Sequence, residues 1–159
     1  MMRKFMFCVA ILLMPLSMVE AVETGFLNRS LTYDGEERLY QVYVPANYSE
    51  NENWPVILFL HGAGEEGKDG LLQTTVGIAN VIRKDVDRFQ AIVVMPQSRR
   101  PKGWIDTETP LAMEALNRTL EEFSTDENRV YLTGLSNGGY GSWSLAYKNP
   151  DKFAAALVI

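Results

Sequence analysis

The chain has 159 residues, 47% apolar and 22% charged, with seven prolines. That composition excludes a disordered chain, and the length makes one domain the expectation. A formal net charge of -5 argues against nucleic acid and other polyphosphate partners, which select basic surfaces.

The first 21 residues read as a secretory signal peptide. Met1-Met2-Arg3-Lys4 supplies a basic start, Phe5 to Val19 an apolar core, and Val19-Glu20-Ala21 small residues at the cleavage positions. That core is shorter than the roughly 20 residues that span a bilayer. No stable membrane anchor is therefore expected, and the mature chain is expected to start at Val22, secreted or periplasmic. Cleavage would remove Arg3, Lys4 and Glu20, reducing 15 basic and 20 acidic residues to 13 and 19, a net charge of -6. Cys8 would leave with the leader, so the mature domain would rely on its core without disulfides. Export also separates a protein from nucleotide pools, and no cofactor is expected.

Glu37 to Val44 alternates polar and apolar residues as a half-buried antiparallel strand does, and Pro45 follows it. Val56 to Leu60 is apolar throughout and breaks into His61-Gly62-Ala63-Gly64-Glu65-Glu66-Gly67-Lys68-Asp69-Gly70. Leu72, Val76, Ala79, Ile82, Val86 and Phe89 share one helical face. Ala91 to Met95 is a second apolar run, ending in Pro96-Gln97-Ser98. Thr109-Pro110 reads as a capping hydroxyl followed by proline at the first helical position, opening a helix with Ala112, Leu116, Leu120 and Phe123 on one face. Val130 to Thr133 is a further strand. Tyr140 to Asn149 is helical, and Ala154 to Ile159 is a last apolar strand. Strands alternating with helices imply an α/β fold with a mainly parallel sheet, helices on both faces and an antiparallel N-terminal strand or hairpin. Ligands in such sheets collect at the carboxyl ends of the strands, where His61-Gly62 and Gln97-Ser98 lie.

The glycines after Leu60 match three devices. Gly62-x-Gly64-x-x-Gly67 has dinucleotide-binding spacing, Gly62-x-x-x-x-Gly67-Lys68 nearly completes a P-loop, and His61-Gly62 after a strand can begin an oxyanion hole. A P-loop needs Ser or Thr after its lysine, and here Asp69 stands there, with Glu65 and Glu66 where phosphates would sit. A dinucleotide fold needs its helix to start inside the glycine motif, but Gly70 prolongs the loop. As an oxyanion loop the stretch is coherent, because small residues let backbone N–H groups face a developing negative charge.

Gly134-Leu135-Ser136-Asn137-Gly138, after the strand at Val130 to Thr133, is a Gly-x-Ser-x-Gly nucleophile elbow. The sharp turn from strand to helix brings the positions two before and two after the serine against neighbouring backbone, hence the glycines. Gly138, Gly139 and Gly141 each cost roughly 1 kcal/mol relative to alanine inside a helix, which selection for helix stability alone would not retain.

Over these stretches, from about Arg38 onward, the chain resembles the α/β-hydrolase superfamily. Within it the match is to secreted esterases related to polyhydroxybutyrate depolymerases, feruloyl esterases and so-called predicted peptidases. The resemblance implies an acyl-forming nucleophile at Ser136, with an oxyanion held by the backbone N–H groups of Asn137 and Ala63. His61 would then support the oxyanion loop, with His61 and Gly62 beside the substrate. Trp104 and Tyr140 are candidates to line an acyl or aromatic pocket, although plain packing is the commoner role of such aromatics. The family order is Ser, then Asp or Glu, then His, and no histidine occurs among the 23 residues after Ser136. Asp106 and Glu108 precede the nucleophile; they could belong to the wall of the site or to helix capping, and the preferred reading is solvated loop acids. The chain is thus expected to be an incomplete α/β-hydrolase, truncated before the catalytic acid and histidine and inactive as it stands, with Ala154 to Ile159 as an uncapped apolar edge. The leading function is carboxylic-ester hydrolysis on a small-molecule or polymer ester. The alternatives are a non-catalytic binding module on the same scaffold and a serine peptidase. Oligomeric state is left open.

Overall fold

The computed structural model describes residues 22–99, 101 and 103–159. The expected signal peptide, with Cys8, lies outside the described residues. Among the described residues six strands form one sheet: β1 (Gly25–Tyr33), β2 (Glu36–Val44), β3 (Trp54–Leu60), β4 (Ile92–Pro96), β5 (Thr125–Gly134) and β6 (Ala155–Val158). Their spatial order is β1-β2-β4-β3-β5-β6. The β1–β2 hairpin is antiparallel, and β2 runs antiparallel to β4; the β4–β3, β3–β5 and β5–β6 pairs are parallel.

The hairpin closes through Asp34-Gly35, both with positive φ (56° and 75°). A two-residue Asp-Gly loop favours that backbone because its twist matches the flanking strands. It is the local signal for β1, whose own sequence is less periodic than that of β2.

Four α-helices among the described residues accompany the sheet: α1 (Ile78–Lys84), α2 (Gly103–Asp106), α3 (Thr109–Glu122) and α4 (Asn137–Lys148). One core joins Val56, Leu58 and Leu60 of β3 to Leu111, Ala112, Ala115 and Leu116 of α3 and Leu145 of α4; a second packs Phe59, Val93 and Met95 under Ala79 and Ile82 of α1. The sheet is therefore covered on both faces, as the runs at β3 and β4 imply.

Three local expectations differ from the structure. The helix expected across 72–89 is broken into a 3-10 turn at Leu72–Thr74, α1, and a second turn at Val86–Arg88. Gly77 causes the first break: its φ is +58°, and a Cβ there would lie 2.5 Å from Phe59, so the chain turns where only glycine fits. Leu72 and Val86 consequently face solvent. The α3 helix starts one residue early, with Glu108 at the N-cap and Thr109 and Pro110 already helical; no side chain caps it, because the Glu108 carboxylate is engaged elsewhere. Helix α4 begins at Asn137 and not at Tyr140, so its first turn is built from the elbow itself.

Candidate active site

Register in the sheet brings the elbow and the glycine loop together. Strands β3 and β5 pair in parallel with Leu60 opposite Gly134, and the Leu135 N–H donates to the Leu60 carbonyl at 3.2 Å. The residues that follow, His61-Gly62-Ala63 and Ser136-Asn137, therefore leave neighbouring strands at the same level. Gly138 explains how close they come: a Cβ there would lie 2.0 Å from the Leu60 oxygen and 2.5 Å from that of His61. At Gly134 a Cβ would meet the Gly138 carbonyl at 2.3 Å. Both glycines of the elbow are thus steric requirements.

Ser136 is exposed and holds φ 53°, ψ -116°, a backbone state that costs a non-glycine residue on the order of 1–3 kcal/mol and persists only where its surroundings enforce it. Its N–H donates to the Ile159 carbonyl at 2.8 Å, and its carbonyl accepts from the Tyr140 N–H at 3.1 Å. Ser136 is the N-cap of α4 and Asn137 its first residue. The Asn137 N–H accordingly belongs to the set that a helix leaves without an internal acceptor, at the end where the macrodipole favours negative charge. Asn137 is 7% exposed, and its side chain donates through Nδ2 to Glu66 at 3.3 Å.

His61 is fully buried. Its Nε2 accepts from the Ser98 N–H at 2.9 Å, and its Nδ1 lies 2.6 Å from the Gly62 carbonyl oxygen. A backbone N–H only donates and a carbonyl only accepts, so the ring is neutral with its proton on Nδ1. Burial is the main reason its pKa falls to about 4, outweighing the bond to Gly62 and the negative charge of Glu108, both of which favour the protonated form. Both ring nitrogens are thus engaged, one within the loop and one at the end of β4.

The loop after it is clamped from the end of β4. Gln97, 2% exposed, accepts from the Gly70 N–H at 2.7 Å and donates to the Glu65 carbonyl at 3.1 Å and to Asp69 at 3.0 Å. The Ser98 carbonyl accepts from the Gly67 N–H at 2.8 Å. The sequence places Gln97 and Ser98 at a strand end but gives them no task. The glycine stretch itself holds a single short 3-10 turn, Ala63–Glu65, and α1 does not begin until Ile78, well beyond Gly70. The dinucleotide reading fails on this point, since it needs a helix to open inside the motif.

Glu108 departs from expectation. Expected as a solvated loop acid, it is 2% exposed. Its Oε1 lies 2.6 Å from Arg38 Nη2, and its Oε2 accepts from the Ser98 hydroxyl at 2.5 Å and the Arg99 N–H at 2.9 Å. Burial alone would raise the carboxyl's pKa, but the bonds from Ser98, Arg38 and Arg99 outweigh it and hold the group below the ordinary glutamate value. The one sequence sign of this arrangement is Arg38, a cation in an otherwise half-apolar strand. Asp106 closes α2.

Trp104 does not line an open pocket. It is fully buried, its ring edge-on to His61 at 5.2 Å, and its Cβ would be 2.6 Å from a Cβ on Gly141 of α4. It is a packing residue against His61 at the start of the glycine loop. Tyr140 is 69% exposed and lines a cleft of about 570 Å³ with Ser136, Gly139, Trp143, Val158 and Ile159. Trp143, 71% exposed, has no reading as a pocket wall in the sequence; its place one helical turn from Tyr140 puts both rings on one side of α4. A second, polar cavity of about 490 Å³ lies between the hairpin turn and the loops, lined by Tyr33, Glu36, Arg38, Lys68, Arg99 and Glu108 among others.

Comparison with known proteins bears on the family and the fold. Residues 32–159 match the Esterase family model, described as "Putative esterase". The chain is similar to feruloyl esterase D of Neurospora crassa, 27% identical over 135 residues that cover 79% of this chain and 46% of that protein. Among solved structures it is similar to a thermostable esterase, with 32% identity, a TM-score of 0.66 and coverage of 84% of this chain and 40% of the other. A ferulic acid esterase from Anaeromyces mucronatus shares the fold at 24% identity, with a TM-score of 0.59 and coverage of 86% and 59%. The chain thus spans about half the length of these relatives. With its strand order, its elbow and its glycine loop all in place, the chain belongs to the Esterase family of α/β-hydrolase proteins.

Proposed function

We propose that the protein is a serine esterase in which Ser136 carries the acyl group. The observation that supports this most directly is the enforced backbone of Ser136, φ 53° and ψ -116°, at an exposed strand-to-helix turn beside the His61-Gly62-Ala63 loop. An ester carbonyl above Ser136 would be attacked by its Oγ, and the carbonyl oxygen, becoming negative, would lie between the Asn137 and Ala63 N–H groups. Preorganised donors of this kind are worth roughly 10²–10³ in rate each. Collapse releases the alcohol and leaves the acyl group on Ser136; water then attacks the acyl carbonyl and restores the serine. Each step needs a base for the proton, and His61 is committed on both nitrogens. The base is proposed to be a histidine in the part of the fold that the relatives possess and these residues do not span. On that reading the 159 residues are inactive by themselves.

Esters of aromatic acids are the proposed substrates. The exposed rings of Tyr140 and Trp143 flank the cleft beside Ser136, and relatives carry the names feruloyl and ferulic acid esterase. The basic, apolar leader supports export as the route to such substrates. No helix among the described residues is long and apolar enough to cross a membrane. The test uses the full-length gene product with a fluorophosphonate probe and a panel of methyl ferulate, a short-chain ester and a peptide amide. Labelling of Ser136 and faster turnover of the ferulate are expected. Equal labelling of Ser136→Ala would overturn the nucleophile, and preference for the amide would overturn the substrate class.

A further inference from the structure

We propose that Glu108 is a positioning residue for the oxyanion hole, acting through Ser98 and His61 on the peptide between Gly62 and Ala63; this rests on the esterase reading above. Four buried residues form a continuous relay. Arg38 pairs with one Glu108 oxygen at 2.6 Å, and the other accepts from the Ser98 hydroxyl at 2.5 Å and the Arg99 N–H at 2.9 Å. The Ser98 N–H then donates to His61 Nε2 at 2.9 Å, and His61 Nδ1–H donates to the Gly62 carbonyl at 2.6 Å. Arg38, Ser98, Glu108 and His61 are all 5% exposed or less.

The last link sets a direction. In a planar trans peptide the C=O and N–H point opposite ways. Holding the Gly62 carbonyl against the imidazole therefore turns the Ala63 N–H away from the ring. Glu108 governs the start of the relay because its two bonds fix the Ser98–Arg99 segment, and a second contact reinforces it: the Glu108 N–H donates to the Gly103 carbonyl at 2.7 Å. Gly103 is tight against the same cluster, since a Cβ there would lie 2.2 Å from Ser98 Oγ and 2.5 Å from Glu108 Oε2. Arg38 also has an electrostatic task. It neutralises a carboxylate that would otherwise oppose the negative charge developing at the oxyanion.

A buried ion pair is poor evidence for stability by itself, because apolar replacements are often equally stable. The experiment must therefore separate positioning from folding. In the full-length protein, Glu108→Gln is compared with wild type for kcat, KM, melting temperature and affinity for a trifluoromethyl ketone, whose hemiketal oxygen occupies the oxyanion hole. A fall in kcat of about 10–100-fold is expected, a fraction of the effect of deleting one oxyanion donor, with KM nearly unchanged and ketone affinity weakened in parallel. Unchanged kcat in folded Glu108→Gln, or a loss confined to KM, overturns the proposal; so does a fall in kcat with full ketone affinity. If Glu108→Gln does not fold, Ser98→Ala, which removes the hydroxyl link but keeps the Ser98 N–H, carries the same comparison. Ser136→Ala is the control: full turnover in that variant refutes the esterase reading, whereas its inactivity beside a normal Glu108→Gln refutes the positioning role alone.

Discussion

Lowering the pH should destabilise the fold through a single buried ring. His61 has a pKa of about 4 in the native state against 6.5 when unperturbed, so between those values the unfolded chain binds a proton that the native chain refuses. Stability is therefore complete above pH 6.5, falls as the pH drops towards 4, and changes no further from this group below that. With these two values the loss between pH 8 and pH 5 is about 2 kcal/mol, approaching about 3 kcal/mol below pH 4. Urea unfolding across that range of pH measures it. His61→Gln isolates the group, since the difference between the two pH curves removes the carboxylates that titrate lower. Protonation of the native ring, centred near pH 4, would also place an N–H on Nε2 facing the Ser98 N–H, so the His61-Gly62-Ala63 loop should loosen only around that pH. A wild-type curve parallel to that of His61→Gln would refute the assignment of a neutral, committed imidazole.

Three further perturbations test separate parts of the site. Gly138→Ala places a methyl group 2.0 Å from the Leu60 oxygen, and separating the strand end from α4 should reduce fluorophosphonate labelling at least about 100-fold, the scale of losing an oxyanion donor; retained labelling would show that the approach is not needed. Arg38→Met leaves the Glu108 charge buried without its cation and should cost about 3–5 kcal/mol in chemical unfolding. Tyr140→Ala, at an exposed position, should leave the melting temperature within about 2 °C, consistent with a surface change of under about 0.5 kcal/mol, while raising KM for esters of aromatic acids more than for acetyl esters.

The sheet was legible because its strands are apolar runs with sharp ends. Val56 to Leu60 and Ile92 to Met95 are largely buried on both faces, and such runs have few other uses. The elbow was legible because its glycines answer a steric demand that local sequence exposes. Helix α1 was not, since Leu72 and Val86 fit the helical period and only Gly77, through its contact with Phe59 from a distant strand, shows why the chain breaks there. Glu108 was hidden for a related reason. Its partners Arg38 and Ser98 are 70 and 10 residues away, and a buried carboxylate looks like a solvated one until those partners are known. Trp104 was left between two roles because an aromatic near a site serves as wall or as support, and only burial separates the two.

The antiparallel seat of β2 beside β4 reverses the direction of the chain on that side of the sheet. Tyr40 pairs with Pro96, so the start of β2, and with it the Asp34-Gly35 turn, rises at the same end as the loops that follow β3, β4 and β5. The turn is a rim whose height can change without disturbing any register beneath it. Residues added there would deepen the polar cavity at Tyr33, Glu36 and Arg99 while leaving Ser136 and the His61-Gly62-Ala63 loop in place. The rim of the polar cavity and the backbone of the elbow are thereby separable in this scaffold, and the hairpin tip can change in length while the turn at Ser136 stays fixed.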